Sequence, residues 1–165
     1  MSKLSLILFT AAALLGCFVA QGSAGTLPVD SSARQHQIKV VKDIRAFVAQ
    51  HPGVQLQRME KQTRVGSQVV RYNMGARIPG DQLVAQGADH FEYPRSQDVS
   101  MQLSYPEEGT GAIVSYVELV CTQDSNDGSA YVVAGGIGQR FISIVVEASN
   151  TRNFSYQAQY YGVRD

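Results

Sequence analysis

Residues 139–161 read QRFISIVVEASNTRNFSYQAQYY, and their hydrophobic period is two. Ile142, Ile144 and Val146 fall on one side of an extended chain; Phe154, Tyr156, Ala158 and Tyr160 share a side in the same way. Side chains alternate between faces along a strand, so each run predicts a strand with a buried face, over 139–147 and 153–161. Outward from there, Leu119, Val117, Ser115 and Ile113 alternate back from Cys121 and predict a strand over 112–121. Further candidates lie near 54–60, 68–74, 81–86, 98–105 and 130–134, with Gly, Pro, Asn and Asp at the breaks. Strands with one apolar face need a second layer, and short breaks without helices favour antiparallel neighbours. The expected fold is all-β, an antiparallel sandwich or small barrel of about seven strands spanning residues 54–165.

One helix is expected before it. Ser32 can cap a run in which Ile38, Val41, Ile44, Phe47 and Val48 recur at three- and four-residue intervals, while Lys39, Lys42, Asp43 and Arg45 face away. His51, Pro52 and Gly53 end it. Gly25–Ser31, with Pro28, reads as a flexible start, so residues 25–53 form an N-terminal extension of flexible start plus amphipathic helix.

The first 24 residues read as a secretory signal peptide: a basic end at Lys3, an apolar run from Leu4 to Ala20, then small residues suited to cleavage after Gly22 or Ala24. The run is at the lower limit for crossing a bilayer, so no stable membrane insertion is expected once it is removed. Leu14-Leu15-Gly16-Cys17 resembles a lipidation signal, but Phe18, Val19 and Ala20 prolong the apolar run past the cysteine. Cleavage after Ala24 leaves Cys121 as the one cysteine, read as a buried thiol, with a bridge to another chain as the alternative in an oxidising compartment.

Fourteen Lys and Arg balance fourteen Asp and Glu, which excludes the cationic excess of a non-specific nucleic-acid binder. The balance is uneven along the chain. Asp30–Arg77 holds nine basic and three acidic residues, a net +6; Ile78 onward holds four basic and eleven acidic, a net −7. Either the basic part lies beside the acidic body with its charges solvated, or it is an arm for an anionic partner.

Enzymatic signatures are missing. His36, His51 and His90 are far apart with no zinc-like spacing, and no Gly-x-Ser-x-Gly elbow occurs, so no catalytic, cofactor or metal residues are assigned. Gly135, Gly136 and Gly138 lack the Lys-Ser/Thr ending of a phosphate loop and read as a structural turn between strands. Asp124, Asn126, Asp127 and Gly128 suggest a calcium loop. The glycine comes one position early, however, and Gly135 stands where the final Glu belongs, so an Asx-rich turn is expected. Asn153-Phe154-Ser155 is a candidate glycosylation sequon.

From Gly80 to Asp165 the chain resembles the insect multiprotein bridging factor two family of small, mostly secreted proteins. The resemblance lies in Gly80-Asp81-Gln82-Leu83-Val84, Tyr105-Pro106 with Gly109, Val117-Glu118-Leu119, Asn126-Asp127-Gly128, Gly135-Gly136-Ile137-Gly138, and Asn153-Phe154 leading to Tyr161-Gly162, in that order. The family's namesake implies a transcription co-activator that bridges a DNA-bound regulator and the general machinery; it supplies no catalytic residues. With the export leader, the expectation is a secreted, non-catalytic protein that binds a protein or small ligand in an extracellular fluid. An intracellular co-activator is the alternative.

Overall fold

The computed structural model describes residues 37–164, which form β1 (Gln37–Val40), α1 (Ile44–Gln50), β2 (Gln57–Arg58), β3 (Glu60–Thr63), β4 (Val69–Gly75), β5 (Gln82–Tyr105), β6 (Ile113–Gln123), β7 (Gly128–Gly135) and β8 (Ile142–Val163). Every pairing is antiparallel, as hairpin-length connections permit. The strands make one eight-stranded sheet. β8 pairs with β5 along one side, and along the other with β7 over its first half and β6 over its second. β1 extends the sheet from β5, β2 from β7, and β4 then β3 from β6.

The runs at 139–147 and 153–161 are thus one strand, as are those at 81–86 and 98–105. What looks like a break in the sequence is a bend within a continuous ladder. In β8 the bend holds Asn150 at φ +50°, and in β5 the register shifts between Glu92 and Gln97 and again before Val99. Bulges of this kind turn a strand without ending its pairing. The two halves of the sheet come to face each other. Tyr105, opposite Ile142 in the first half, stacks on Tyr160, opposite Ala85 in the second, with ring centroids 5.4 Å apart. At the β7–β8 turn, Gly138 donates to the Val114 carbonyl and Val114 donates to that of Gln139, both at 2.8 Å.

The main core fills the space between the halves. Ile142, Ile144 and Val146 are buried in it, and so are Phe154, Tyr156, Ala158 and Tyr160, in agreement with their period of two. On β6 a bulge between Val114 and Tyr116 puts Val114 in the core in place of Ile113, while Val117, Leu119 and Cys121 keep their expected side.

The N-terminal helix is shorter than its spacing suggests. Gln37–Val40 is a strand paired with Met101–Ser104, and α1 begins only at Ile44, where the Asp43 carboxylate accepts from the Ala46 amide at 2.6 Å. Ile38, Val40 and Val41 are β-branched, and the β5 edge offers them ladder bonds that an exposed helical turn could not match. Ser32, His36, the start at Gly25–Ser31 and the leader lie outside the described residues.

Phe47 of α1 packs with Val133 and Val145 on the outer side of the first half, joined by Val41, Ile44, Val54 and Tyr131. This explains why Val145 is buried although it points away from Ile144. The helix therefore covers one half of the sheet from outside, and among the described residues nothing covers the outer face of the other half. Nor do β2–β4 stand apart: Lys61 Nζ donates to the carbonyls of Asn126 and Gly128 at 2.7 and 3.0 Å, and Arg71 pairs with Glu118 at 3.3 Å.

Candidate interaction face

Register fixes the composition of the uncovered face. One row across β5, β8, β6, β4 and β3 is Gln86, Gln159, Glu118, Asn73 and Glu60; the next is Ala88, Gln157, Val120, Arg71 and Gln62. Side chains join across β3 and β4, where Asn73 donates to Glu60 at 3.3 Å and Gln62 to Asn73 at 3.4 Å, and along β8, where the Tyr161 hydroxyl donates to Gln159 at 3.3 Å. The face is amide-rich, and its Arg71 charge is matched by Glu118.

An aromatic corner closes the array beside the β4–β5 connection. Tyr161 and Tyr116 are register partners with ring centroids 5.9 Å apart, and the Arg77 guanidinium lies 3.7 Å above the Tyr161 ring, where its charge meets the negative π face. Arg77 is fixed there by Asp81, with Nε and Nη2 at 2.9 and 2.7 Å from Oδ1. Asp81 Oδ2 also accepts from the Ile78 amide at 3.0 Å and the Ser115 hydroxyl at 2.7 Å. Its side chain is only 1% exposed while that of Arg77 is 51% exposed, so the carboxylate is the hidden anchor and the guanidinium the presented group. Arg77 foremost, aided by the other two donors, holds the Asp81 carboxyl well below the usual carboxylate range.

Gly75 lets this corner close. At φ +81°, a Cβ there would strike the Ser115 carbonyl and come 2.7 Å from Ile137 Cδ1. Ile78, Leu83 and Ile137 are exposed large apolar residues. The corner thus combines a fixed cation, two phenol rings and apolar side chains.

The residues singled out from the sequence lie elsewhere. Cys121 is fully buried on β6, and burial pushes its thiol far above the ordinary value. Gly135, Gly136 and Gly138 form the β7–β8 turn at positive φ; Gly136 donates to Phe141 at 3.0 Å. Asp124 Oδ2 accepts from the Arg152 and Asn153 amides at 2.6 and 3.2 Å, which clips the loop to the β8 bend and lowers that carboxyl. Asn153 is exposed beside it. Among the described residues no group of three or more His, Cys, Asp or Glu could hold a metal ion. A concavity of about 450 Å³ opens between Pro52–Gln55 and Val132–Gly135.

In the sequence Arg77 stands out only as a charge, and Asp81 as an acid within the family-like Gly80–Val84 run. The available signal was the four-residue Arg–Asp spacing across Pro79-Gly80, together with Ser115 interrupting an apolar strand face.

Residues 74–162, more than half of the chain, match the family described as transcription activator MBF2. The chain belongs to the MBF2 family. No curated protein and no solved structure matches it. The MBF2 match starts at Met74, slightly upstream of the Gly80 read from the sequence, and contains the whole Arg77–Asp81–Ser115–Tyr116–Tyr161 corner. β1, α1, β2 and β3 lie outside it.

Proposed function

We propose that this MBF2-family chain is a secreted, non-catalytic β-sandwich protein that binds a protein or small ligand in an extracellular fluid such as insect haemolymph or saliva. The observation that carries the reading is the uncovered outer face of the second half, ending in the Arg77–Tyr161–Tyr116 corner. A buried carboxylate orients Arg77 over a ring, so the group is held ready for contact before any partner arrives, which lowers the ordering cost of binding. Asp81 is engaged by Arg77, Ile78 and Ser115, and Cys121, away from the corner, is sealed in the core. Export is supported by the leader read over residues 1–24, and the balanced charge argues against direct nucleic-acid binding. Among the described residues no helix is long and apolar enough to cross a membrane.

The family description favours a second reading, a transcription co-activator that docks other proteins through the same face. Expression with a C-terminal tag in insect cells separates the two. The expected result is a chain in the medium whose N-terminus begins after Gly22 or Ala24. An intact chain starting at Met1 and retained in the nucleus overturns the proposal. A hydrolase screen of the purified protein tests the non-catalytic part and is expected to be blank.

A further inference from the structure

The second half of the sheet ends on two edges of different character. At β3 the edge is short and reads Glu-Lys-Gln-Thr, a charged edge of the kind that discourages pairing. At β5 it is longer. Over Gln82–Glu92 this strand pairs only with β8, because β1 covers just Met101–Ser104, so one side of its backbone carries no strand among the described residues. The His90 amide accordingly turns to its own chain and donates to the Asp89 carboxylate at 2.8 Å. Since that amide points away from β8, strand alternation sends the backbone groups of Ala88, His90 and Glu92 to the open edge and those of Asp89 and Phe91 inward to β8.

We propose that this edge pairs with the same edge of a second copy, antiparallel about a two-fold axis through Phe91. Such an axis is isologous, and the register follows from the side chains. Centring on Phe91 sets His90 opposite Glu92 of the second copy, twice, with both residues able to exchange their outward backbone bonds. His90 and Glu92 already associate within one chain at 3.2 Å, so the pair is chemically matched. Centring on Asp89 or Glu92 sets two carboxylates face to face, and centring on His90 sets imidazole against imidazole and Asp89 against Phe91. In the Phe91 register the two Phe91 rings meet at the axis, and Asp89 lies opposite Tyr93. Phe91 and Tyr93 are half-buried residues packed on the main core, so pairing covers their remaining surface. Pro94, which has no amide, ends the ladder, so the contact closes as a pair and does not propagate. The two uncovered faces then lie side by side in one continuous sheet.

The test is sedimentation velocity of the purified full chain over a concentration series. The expected result is a monomer–dimer equilibrium, weakened about tenfold by Glu92→Lys and restored by combining His90→Glu with Glu92→Lys. Register is read independently by cysteines introduced one at a time on β5, with Cys121 sealed in the core. Phe91→Cys places two thiols opposite each other at a close, non-hydrogen-bonded pair and is expected to cross-link on mild oxidation, whereas Glu92→Cys is expected to remain uncross-linked. A single-chain mass throughout the series overturns the inference. So does a dimer indifferent to Glu92→Lys, which would use another surface. Near-native circular dichroism of each variant confirms that the fold is retained.

Discussion

Arg77 and Asp81 hold each other across the Pro79–Gly80 turn, with Nη2 and Oδ1 2.7 Å apart, while the guanidinium rests on Tyr161. The carboxylate is buried and the cation exposed, so the pair works as a bracket that presents Arg77 at the end of the uncovered face. A bracket of this kind fails when its hidden half is neutralised, and that failure has a definite pH signature.

Asp81 is held below its ordinary value of 3.8, chiefly by the Arg77 hydrogen bond. A carboxyl with a lower value in the folded chain binds protons more readily when unfolded. Its contribution is therefore complete well above about pH 4 and is lost as the pH falls through and below that value. Asp124, lowered by the Arg152 and Asn153 amides, contributes with the same sign. Urea midpoints measured from pH 7 down to pH 3 should fall at the acid end. Asp81→Asn should lower the midpoint at neutral pH and flatten part of that fall. An acid limb unchanged in Asp81→Asn would show that the bracket does not contribute to folding.

Phe47→Ala should destabilise the protein by about 3 kcal/mol, at the low end for a large-to-small core change because Phe47 belongs to a small cluster at the rim. The loss should be local. Hydrogen exchange is expected to speed up in α1 and at Val133 and Val145, while amides of β6 keep their protection. Equal acceleration in both halves would mean that the helix supports the whole sheet and not only the face it covers.

The period-two runs and the helix-ending His51-Pro52-Gly53 were legible because they depend on local pattern. Long-range geometry was not. Asn150 and the Glu92–Gln97 segment look like chain breaks because polar residues interrupt the apolar period there, yet each is a bend whose ladder resumes beyond it. Ile38 and Val41 fit a helical spacing as well as a strand, and the choice was made by the β5 edge, some sixty residues away in sequence. The corner was harder still, because Arg77, Ser115 and Tyr161 come from three separate segments and meet only when β6 and β8 pair. Only the Arg77–Asp81 spacing was local.

Two glycines of one turn should respond differently to alanine. Gly138 sits at φ +81° with open space around it, so Gly138→Ala should cost about 1 kcal/mol, the strain of the left-handed backbone alone. Gly135 sits at φ +65°, and a Cβ there would run into the Phe141 carbonyl across the hairpin. Overpacking then adds to strain, and Gly135→Ala should cost about 2 kcal/mol more than its neighbour. Denaturant midpoints of the two variants give the comparison directly; equal costs would remove the backbone contact as the reason for glycine at 135.

Cys121 lies opposite Val70 on β4 and Tyr156 on β8, with no exposed surface, and its thiol is pushed far above the ordinary range by burial. Reaction needs a thiolate and access, and the folded chain offers neither. An aromatic disulfide reagent at neutral pH should therefore leave the native protein unlabelled on the timescale on which the urea-unfolded chain reacts fully, and non-reducing electrophoresis should show no bridged species. Labelling of the native chain should accelerate in Phe47→Ala only if the opening that admits the reagent includes the first half of the sheet. Cys121→Ser should cost about 2 kcal/mol, because a hydroxyl placed among these side chains loses water without gaining a partner. Prompt labelling of the folded wild type would show that β6 opens far more readily than its burial implies.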